Sequence, residues 1–69
     1  MNTNHQTWPG ERLVDAREAA YCLNLPTYWL THPKERVRRQ VPHYRVGKLV
    51  RFKMSELNRW LLEQGGQDA

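Results

Sequence analysis

Cysteine, long apolar runs and catalytic side-chain sets are scarce in this sequence, and each absence excludes a class of protein. A single cysteine among 69 residues cannot form an internal disulfide, which argues against a small secreted scaffold and for a reducing compartment. No apolar run approaches the ~20 residues that a membrane span needs. Residues 1–10 lack the basic start and apolar centre of a signal peptide. We therefore expect a small cytoplasmic protein with no membrane partner.

The sequence also lacks the side-chain combinations that carry catalysis or hold a metal. It contains no Ser/His/Asp set, no glycine-rich phosphate loop and no paired inward carboxylates, so we do not expect an enzyme. Tyrosines are present, but a tyrosine recombinase needs a much larger catalytic domain. The potential metal ligands lack C-x2-C or H-x3-H spacing, so we expect no metal and no cofactor. These residues are His5, Cys22, His32 and His43, and Cys22 is expected to be an inert, partly buried side chain.

Negative charge is scarce in the middle of the chain. The whole sequence has a net charge of +4 and a pI near 9.7. Residues 34–53 hold eight bases and one acid, a net charge of +7, whereas the other 49 residues hold three bases and six acids, a net charge of −3. A positive field confined to one segment favours an anionic partner, although charge runs are often only solvated surface.

The chain divides into a central domain with a short polar segment at each end. Residues 1–12 are polar and irregular, and we expect a flexible arm in which Trp8 docks on the domain. Residues 13–64 carry the periodic pattern of a folded domain. Residues 65–69 are expected to form a frayed tail.

Two helices joined by a tight turn are predicted at the start of the domain. Asp15 and Glu18 have the spacing of a capping box. Apolar residues follow at the spacing of one helix face, namely Ala16, Ala19, Ala20 and Leu23. Asn24 suits the left-handed position that ends a helix. A second helix is predicted to begin near Pro26 or Thr27.

A proline interrupts the second helix. Pro33 cannot continue an undisturbed helix, but it suits the first position of a new one, so a further helical piece is predicted over residues 33–40. Val37 is its only clearly apolar interior residue. We therefore expect its four bases to be largely exposed to solvent; they are Lys34, Arg36, Arg38 and Arg39.

A β-hairpin is predicted around Gly47, and the length of its loop decides which side chains share a face. A two-residue loop would mix charged and apolar side chains on one face, which would carry Tyr44, Val46, Leu49 and Arg51. A loop of three residues, from Gly47 to Leu49, would separate them. Its apolar face would carry Tyr44, Val46, Val50 and Phe52. Its basic face would carry His43, Arg45 and Arg51. The cleaner separation favours the three-residue loop.

A last helix is predicted from Met54 or Ser55 to Gln64. Its buried stripe consists of Met54, Leu57, Trp60 and Leu61. Trp29 and Trp60 are expected in the core, because two indoles supply much of the apolar area that so small a domain can bury. The order of the elements predicts a mainly α fold with a small β-hairpin. We interpret it as a winged helix-turn-helix, with a wing hairpin and a C-terminal helix.

Such a fold gives the basic segment a geometry. In helix-turn-helix proteins the second helix enters the major groove, and a basic ribbon beside it suits the neighbouring minor groove. We therefore expect double-stranded DNA as the partner. The candidate contacts on the second helix and its extension are Thr27, Tyr28, Thr31, Lys34, Arg36, Arg38 and Arg39. The candidate contacts on the wing are His43, Arg45, Lys48 and Arg51.

Three stretches of the sequence also resemble a known family; they are residues 13–26, residues 41–52 and residues 57–61. They are similar to the small excisionases and AlpA-type DNA-binding proteins, which are related to the winged-helix head of MerR-type regulators. The resemblance covers residues 13–62. Its most specific part runs from Pro42 to Phe52, with Trp60 eight residues further on. The chain departs from the family pattern at residues 31–40, where a longer, proline-started basic segment replaces a continuous short helix.

The resemblance implies a recombination directionality factor of a phage or another mobile element. Such a protein binds repeated sites beside an attachment sequence, bends the DNA and makes an integrase favour excision. The expected partners are then DNA, the integrase and further copies of the chain bound head to tail. The resemblance also implies that the second helix reads the major groove, that the wing touches the minor groove, and that the protein lies at the nucleoid of a bacterial host.

Two other functions are compatible with the same features. A small transcriptional regulator of the AlpA or MerR type would read DNA through the same surfaces, so the fold does not separate it from an excisionase. A protein-interaction adaptor would instead dock its basic face on an acidic partner. Duplex binding that weakens steeply with salt is expected of the first two functions.

Overall fold

The computed structural model describes residues 11–65, which form a mainly helical fold with one β-hairpin. The elements in chain order are α1 (Ala16–Leu23), α2 (Tyr28–Thr31), α3 (Pro33–Arg39), β1 (Tyr44–Val46), β2 (Leu49–Arg51) and α4 (Met54–Gly65). The prediction of a mainly α fold with a small hairpin is confirmed. Residues 1–10 and 66–69 lie outside the described part, and with them His5, the expected docking of Trp8 and most of the predicted arm and tail.

Helix α1 begins and ends at the residues that its sequence indicates. The Asp15 carboxylate accepts a hydrogen bond of 2.8 Å from the backbone N–H of Glu18, which caps the first turn. Asn24 ends the helix in the left-handed conformation, with φ of 57°. Ala19 and Ala20 are buried, because their small side chains let the rest of the fold approach the helix closely.

The break between α2 and α3 follows from Pro33. His32 before it is extended, with φ of −90° and ψ of 122°, because a residue that precedes proline avoids the helical region. Pro33 is the first residue of α3, where its missing N–H costs nothing. Helix α3 ends at Gln40, which has a left-handed φ of 57°. The predicted helical pieces on both sides of the break are confirmed.

The hairpin has a two-residue loop, so the prediction of a three-residue loop is wrong. Tyr44 pairs with Arg51, Arg45 with Val50, and Val46 with Leu49. Gly47 has a positive φ of 62° and Lys48 does not, which is the φ pattern of a type II′ turn with glycine first. The turn geometry outweighs the separation of apolar from charged side chains, and every side chain of β1 lies on the face opposite to the predicted one.

The core lies where α1, α2, the hairpin and α4 meet. Its buried apolar residues are Val14, Ala19, Ala20, Leu30, Val41, Phe52, Leu57 and Trp60. The backbones of Val14 and Phe52 exchange hydrogen bonds of 2.8 and 2.9 Å, which joins the segment before α1 to the end of the hairpin. Trp29 packs edge-on against Trp60 at 6.4 Å between ring centroids, and the Trp60 indole donates to the Arg39 carbonyl at 2.8 Å. The predicted core position is confirmed for Trp60, whereas Trp29 is half-buried and packs against the core.

Two residues of the predicted arm, Glu11 and Arg12, contact the folded domain. The Glu11 carboxylate accepts from the backbone N–H and the hydroxyl of Ser55, and these bonds lower the pKa of Glu11. Arg12 pairs with Glu18 at 2.8 Å. Cys22 is exposed, so its predicted partial burial is wrong. None of the helices within residues 11–65 has the length and apolar character needed to traverse a lipid bilayer.

Candidate nucleic-acid interface

The candidate DNA contacts differ widely in exposure. Seven of them are exposed, namely Thr27, Tyr28, Thr31, Lys34, Arg38, Arg45 and Lys48. Three are half-buried, namely Arg39, His43 and Arg51. Arg36 is buried, with 5% of its surface exposed, so the prediction that it faces solvent is wrong. Residues 36–55 contain no acid, and the exposed bases of the hairpin, Arg45 and Lys48, therefore have no carboxylate near them in the chain.

Arg36 is buried because it replaces hydrogen bonds that the Pro33 break removes. Its Nη1 donates to the carbonyls of Leu30 and Thr31 at 2.9 and 3.0 Å. These carbonyls end α2, and the extended residue before Pro33 keeps them from receiving helical N–H donors. Burial lowers the pKa of the Arg36 guanidinium, and the positive charge of Arg45 lowers it further.

Two other bases of α3 are paired with an acid of their own helix. Glu35 accepts from Arg38 at 2.9 Å and from Arg39 at 2.8 Å, and the hydrogen bond from Arg39 is the larger cause of its lowered pKa. The Arg39 guanidinium also lies over the Trp29 ring, 3.9 Å from its centroid. Arg39 is thus held in place, whereas Arg38 is mostly exposed and its single surface ion pair is weak.

The short helix α2 presents its hydroxyl groups to solvent. The exposed Tyr28 ring packs edge-on against His32, with 6.0 Å between ring centroids. The Thr31 hydroxyl contacts the Thr27 carbonyl at 3.3 Å and the Nδ1 of His32 at 3.1 Å. These contacts orient Tyr28 and Thr31 on the one turn that precedes the break.

The hairpin places its bases on both of its faces. Arg45 shares a face with Val50, and Arg51 lies opposite Tyr44 on the other face, so the prediction that Arg45 and Arg51 share a face is wrong. Arg51 donates through Nη1 to the Val50 carbonyl at 2.9 Å. The half-buried His43 is bonded through Nδ1 to the Val41 carbonyl at 2.8 Å, which turns this nitrogen away from any ligand.

Two half-exposed apolar side chains stand at the tip of the hairpin. Val46 and Leu49 pair across the strands and are 50% and 51% exposed. They flank the two loop residues, of which Lys48 carries a positive charge. Behind them, the Tyr44 hydroxyl donates to Glu56 of α4 at 2.7 Å, and this hydrogen bond raises the pKa of Tyr44. The base of the hairpin is thus anchored while its tip projects.

Residues of α1, α2, α3 and β2 line one open cleft. Its polar lining consists of Asp15, Arg17, Thr31, Arg36 and Arg51. Sequence reasoning missed Arg17, because it stands in the acidic part of the chain, outside the basic stretch of residues 34–53. No signal in the sequence marks it, because only the folded chain brings the start of α1 beside β2. The cleft brings together bases that are far apart in sequence.

The surface formed by α4 is different in charge. Arg59 lines a shallow depression there with Glu56 and Glu63, so its base lies among acids. Within residues 11–65, no three His, Cys, Asp or Glu side chains are grouped so that they could hold a metal ion. Comparison of the chain with models of known families, with curated proteins and with solved structures gives no match.

Proposed function

We propose that this protein binds double-stranded DNA as a winged helix-turn-helix. The helix-turn-helix would be α1 and α2, extended by α3, and the hairpin would be the wing. The observation that carries the proposal is the adjacency of two basic elements, since Arg51 of the hairpin and Arg36 of α3 line the same cleft. Thr31 of α2 lines this cleft as well. A surface built from a short helix and a basic ribbon matches a duplex, whose grooves lie side by side.

The exposures of the candidate residues support different proposed roles for them. Thr27 and Tyr28 at the start of α2, with Lys34 of α3, are exposed and would enter the major groove. Arg38 would leave its weak surface pair for a phosphate. Arg36 is buried, so it would contribute its positive charge to the surface without touching DNA. His43 would likewise support the wing without touching DNA. The remaining wing bases, Arg45, Lys48 and Arg51, would contact the backbone and the minor groove.

The narrower role that we propose is that of an excisionase, which bends DNA for an integrase. Proteins that bend DNA from the minor groove often push apolar side chains between base steps. The tip of the wing carries such a pair in Val46 and Leu49, beside the positive charge of Lys48. This pair favours an architectural role over a plain regulator, because a regulator needs only the contacts that hold it on its site.

A duplex with a fluorescent dye at each end separates the candidate functions in one titration. Anisotropy measures binding and energy transfer between the dyes measures bending. Binding with increased transfer supports the excisionase proposal, and binding without a change in transfer supports the regulator instead. Polyglutamate at equal charge concentration is the matched competitor. If it displaces the duplex completely at low occupancy, the protein is an adaptor for acidic chains, and the DNA proposal is wrong.

Replacing both tip residues, Val46→Thr and Leu49→Thr, should remove most of the bend and leave most of the binding. Threonine is β-branched and suits a strand, but its hydroxyl makes it less suited to an apolar step between bases. The expected result is a fall in energy transfer at saturating protein, with a dissociation constant within about tenfold of wild type. Val37→Thr on the exposed face of α3 is the control. Equal bending by the tip variant and wild type would contradict the role of the tip.

A further inference from the structure

Arg36 carries a buried charge without a carboxylate beside it. It is 5% exposed, and among residues 11–65 the ion pairs involve Arg12, Arg38 and Arg39 but not Arg36. Its Nε is also buried with no hydrogen-bond partner in the described part of the chain. A buried charge is costly unless an opposite charge and hydrogen bonds compensate for it. Among the described residues, the hydrogen-bond partners of this guanidinium are the two carbonyl oxygens that end α2, so an anion in the adjoining cleft would stabilise its charge.

The cleft that Arg36 lines has the composition of an anion site. Arg17 from α1 and Arg51 from β2 line it together with Arg36, and it opens to solvent. Ala16 and Arg17 also belong to the first turn of α1, whose N–H groups have no partners within the helix. One acid, Asp15, also lines the cleft. Its carboxylate is bonded to the Glu18 N–H at 2.8 Å, so part of its charge is already compensated.

We propose that this cleft is a binding site for a phosphate group, held by Arg17 and Arg51 with the buried charge of Arg36 behind them. The cleft holds three guanidinium groups and one carboxylate, which already accepts a hydrogen bond, so the net charge of the cleft is positive. In the protein–DNA complex the occupant would be a backbone phosphate next to the wing, and this assignment of the source rests on the proposed function. Free inorganic phosphate presents the same oxygens and serves as the probe.

Thermal unfolding of the full chain in inorganic phosphate, against sodium chloride at equal ionic strength, tests the site without DNA. A ligand that binds only the folded state, present at about ten times its dissociation constant, should raise Tm of so small a domain by roughly 5–10 °C. Arg51→Gln should retain less than half of this rise. Asp15→Asn keeps a capping oxygen and removes the acid, so it should lower the dissociation constant for phosphate. Arg59→Gln is the matched control and should behave as wild type.

The results separate the phosphate site from the proposed function. If Tm rises no more in phosphate than in chloride, or rises equally in Arg51→Gln and wild type, the site does not exist, whether or not the protein binds DNA. If Arg51→Gln weakens both phosphate and duplex binding, the cleft holds a DNA phosphate. If it weakens phosphate binding alone, the site is real but its ligand is free phosphate. Phosphate binding without any duplex binding would support the phosphate site and contradict the proposed DNA function.

Discussion

Leu57→Ala is expected to lower the free energy of unfolding by about 2–5 kcal/mol, because the change leaves a cavity in a closely packed core. Leu57 has no exposed surface and stands on α4 within the cluster that includes Phe52 and Trp60. A domain of this size has a small total stability, so a loss at the upper end of the range would unfold much of the protein at room temperature. Urea denaturation followed by tryptophan fluorescence measures the change.

Leu62→Ala is the matched control for this prediction. It removes the same atoms from the same helix, but Leu62 is 74% exposed. Its expected effect lies within about 0.5 kcal/mol of zero, as for most surface substitutions. If both variants lose equal stability, the face that α4 presents to the core is not the one described.

Duplex affinity is expected to fall about 100-fold between about 50 and 200 mM salt if four bases displace counterions from the DNA. Four contacts give a slope of about −3.6 in a plot of log affinity against log salt. Five bases of α3 and the wing are available for these four contacts; they are Lys34, Arg38, Arg45, Lys48 and Arg51. Fluorescence anisotropy across the salt range measures the slope.

Thermal unfolding at the same salt concentrations is the control, because it separates weakened binding from a less stable protein. A slope no steeper than about −1 would mean that a single phosphate contact forms, and it would contradict a groove-spanning surface. A steep slope for the duplex with a flat response for polyglutamate would exclude an interface that responds to any anionic chain.

The ends of the helices could be predicted from sequence because single residues determine them. Asp15 supplies a capping oxygen, Asn24 tolerates a left-handed conformation, and Pro33 has no N–H to donate. Each effect is local and needs no knowledge of the rest of the fold. The same argument holds for the separation of α2 from α3 at His32.

The hairpin register could not be predicted from the pattern of its side chains. Val50 and Phe52 lie two residues apart, so both point to the core under either loop length. Only the side chains of β1 change face, and a clean separation of apolar from charged side chains does not determine which loop forms. The left-handed Gly47 determines the loop instead, and a tertiary anchor, the hydrogen bond from Tyr44 to Glu56, accommodates the mixed face.

The basic elements of the candidate site could be predicted from the sequence, but the burial of Arg36 could not. The concentration of charge in residues 34–53 indicates α3 and the hairpin as the basic elements. Charge alone does not reveal that Arg36 turns inward to the carbonyls of α2, because the need for that donor arises from the break at Pro33. Arg17 was missed for a related reason, since only the folded chain brings the start of α1 beside β2.

The central claim is that the wing contacts the DNA backbone. The salt dependence of duplex affinity, measured after two positive charges of the wing are removed, tests it most directly. The double variant Arg45→Gln and Arg51→Gln is compared with wild type and with Arg59→Gln, whose base lies among the acids of α4. If the wing contacts the DNA backbone, the slope of the double variant should be shallower than that of wild type by about 1.8, and Arg59→Gln should keep the wild-type slope. Equal slopes for all three proteins would show that the wing does not touch the duplex and would contradict the account.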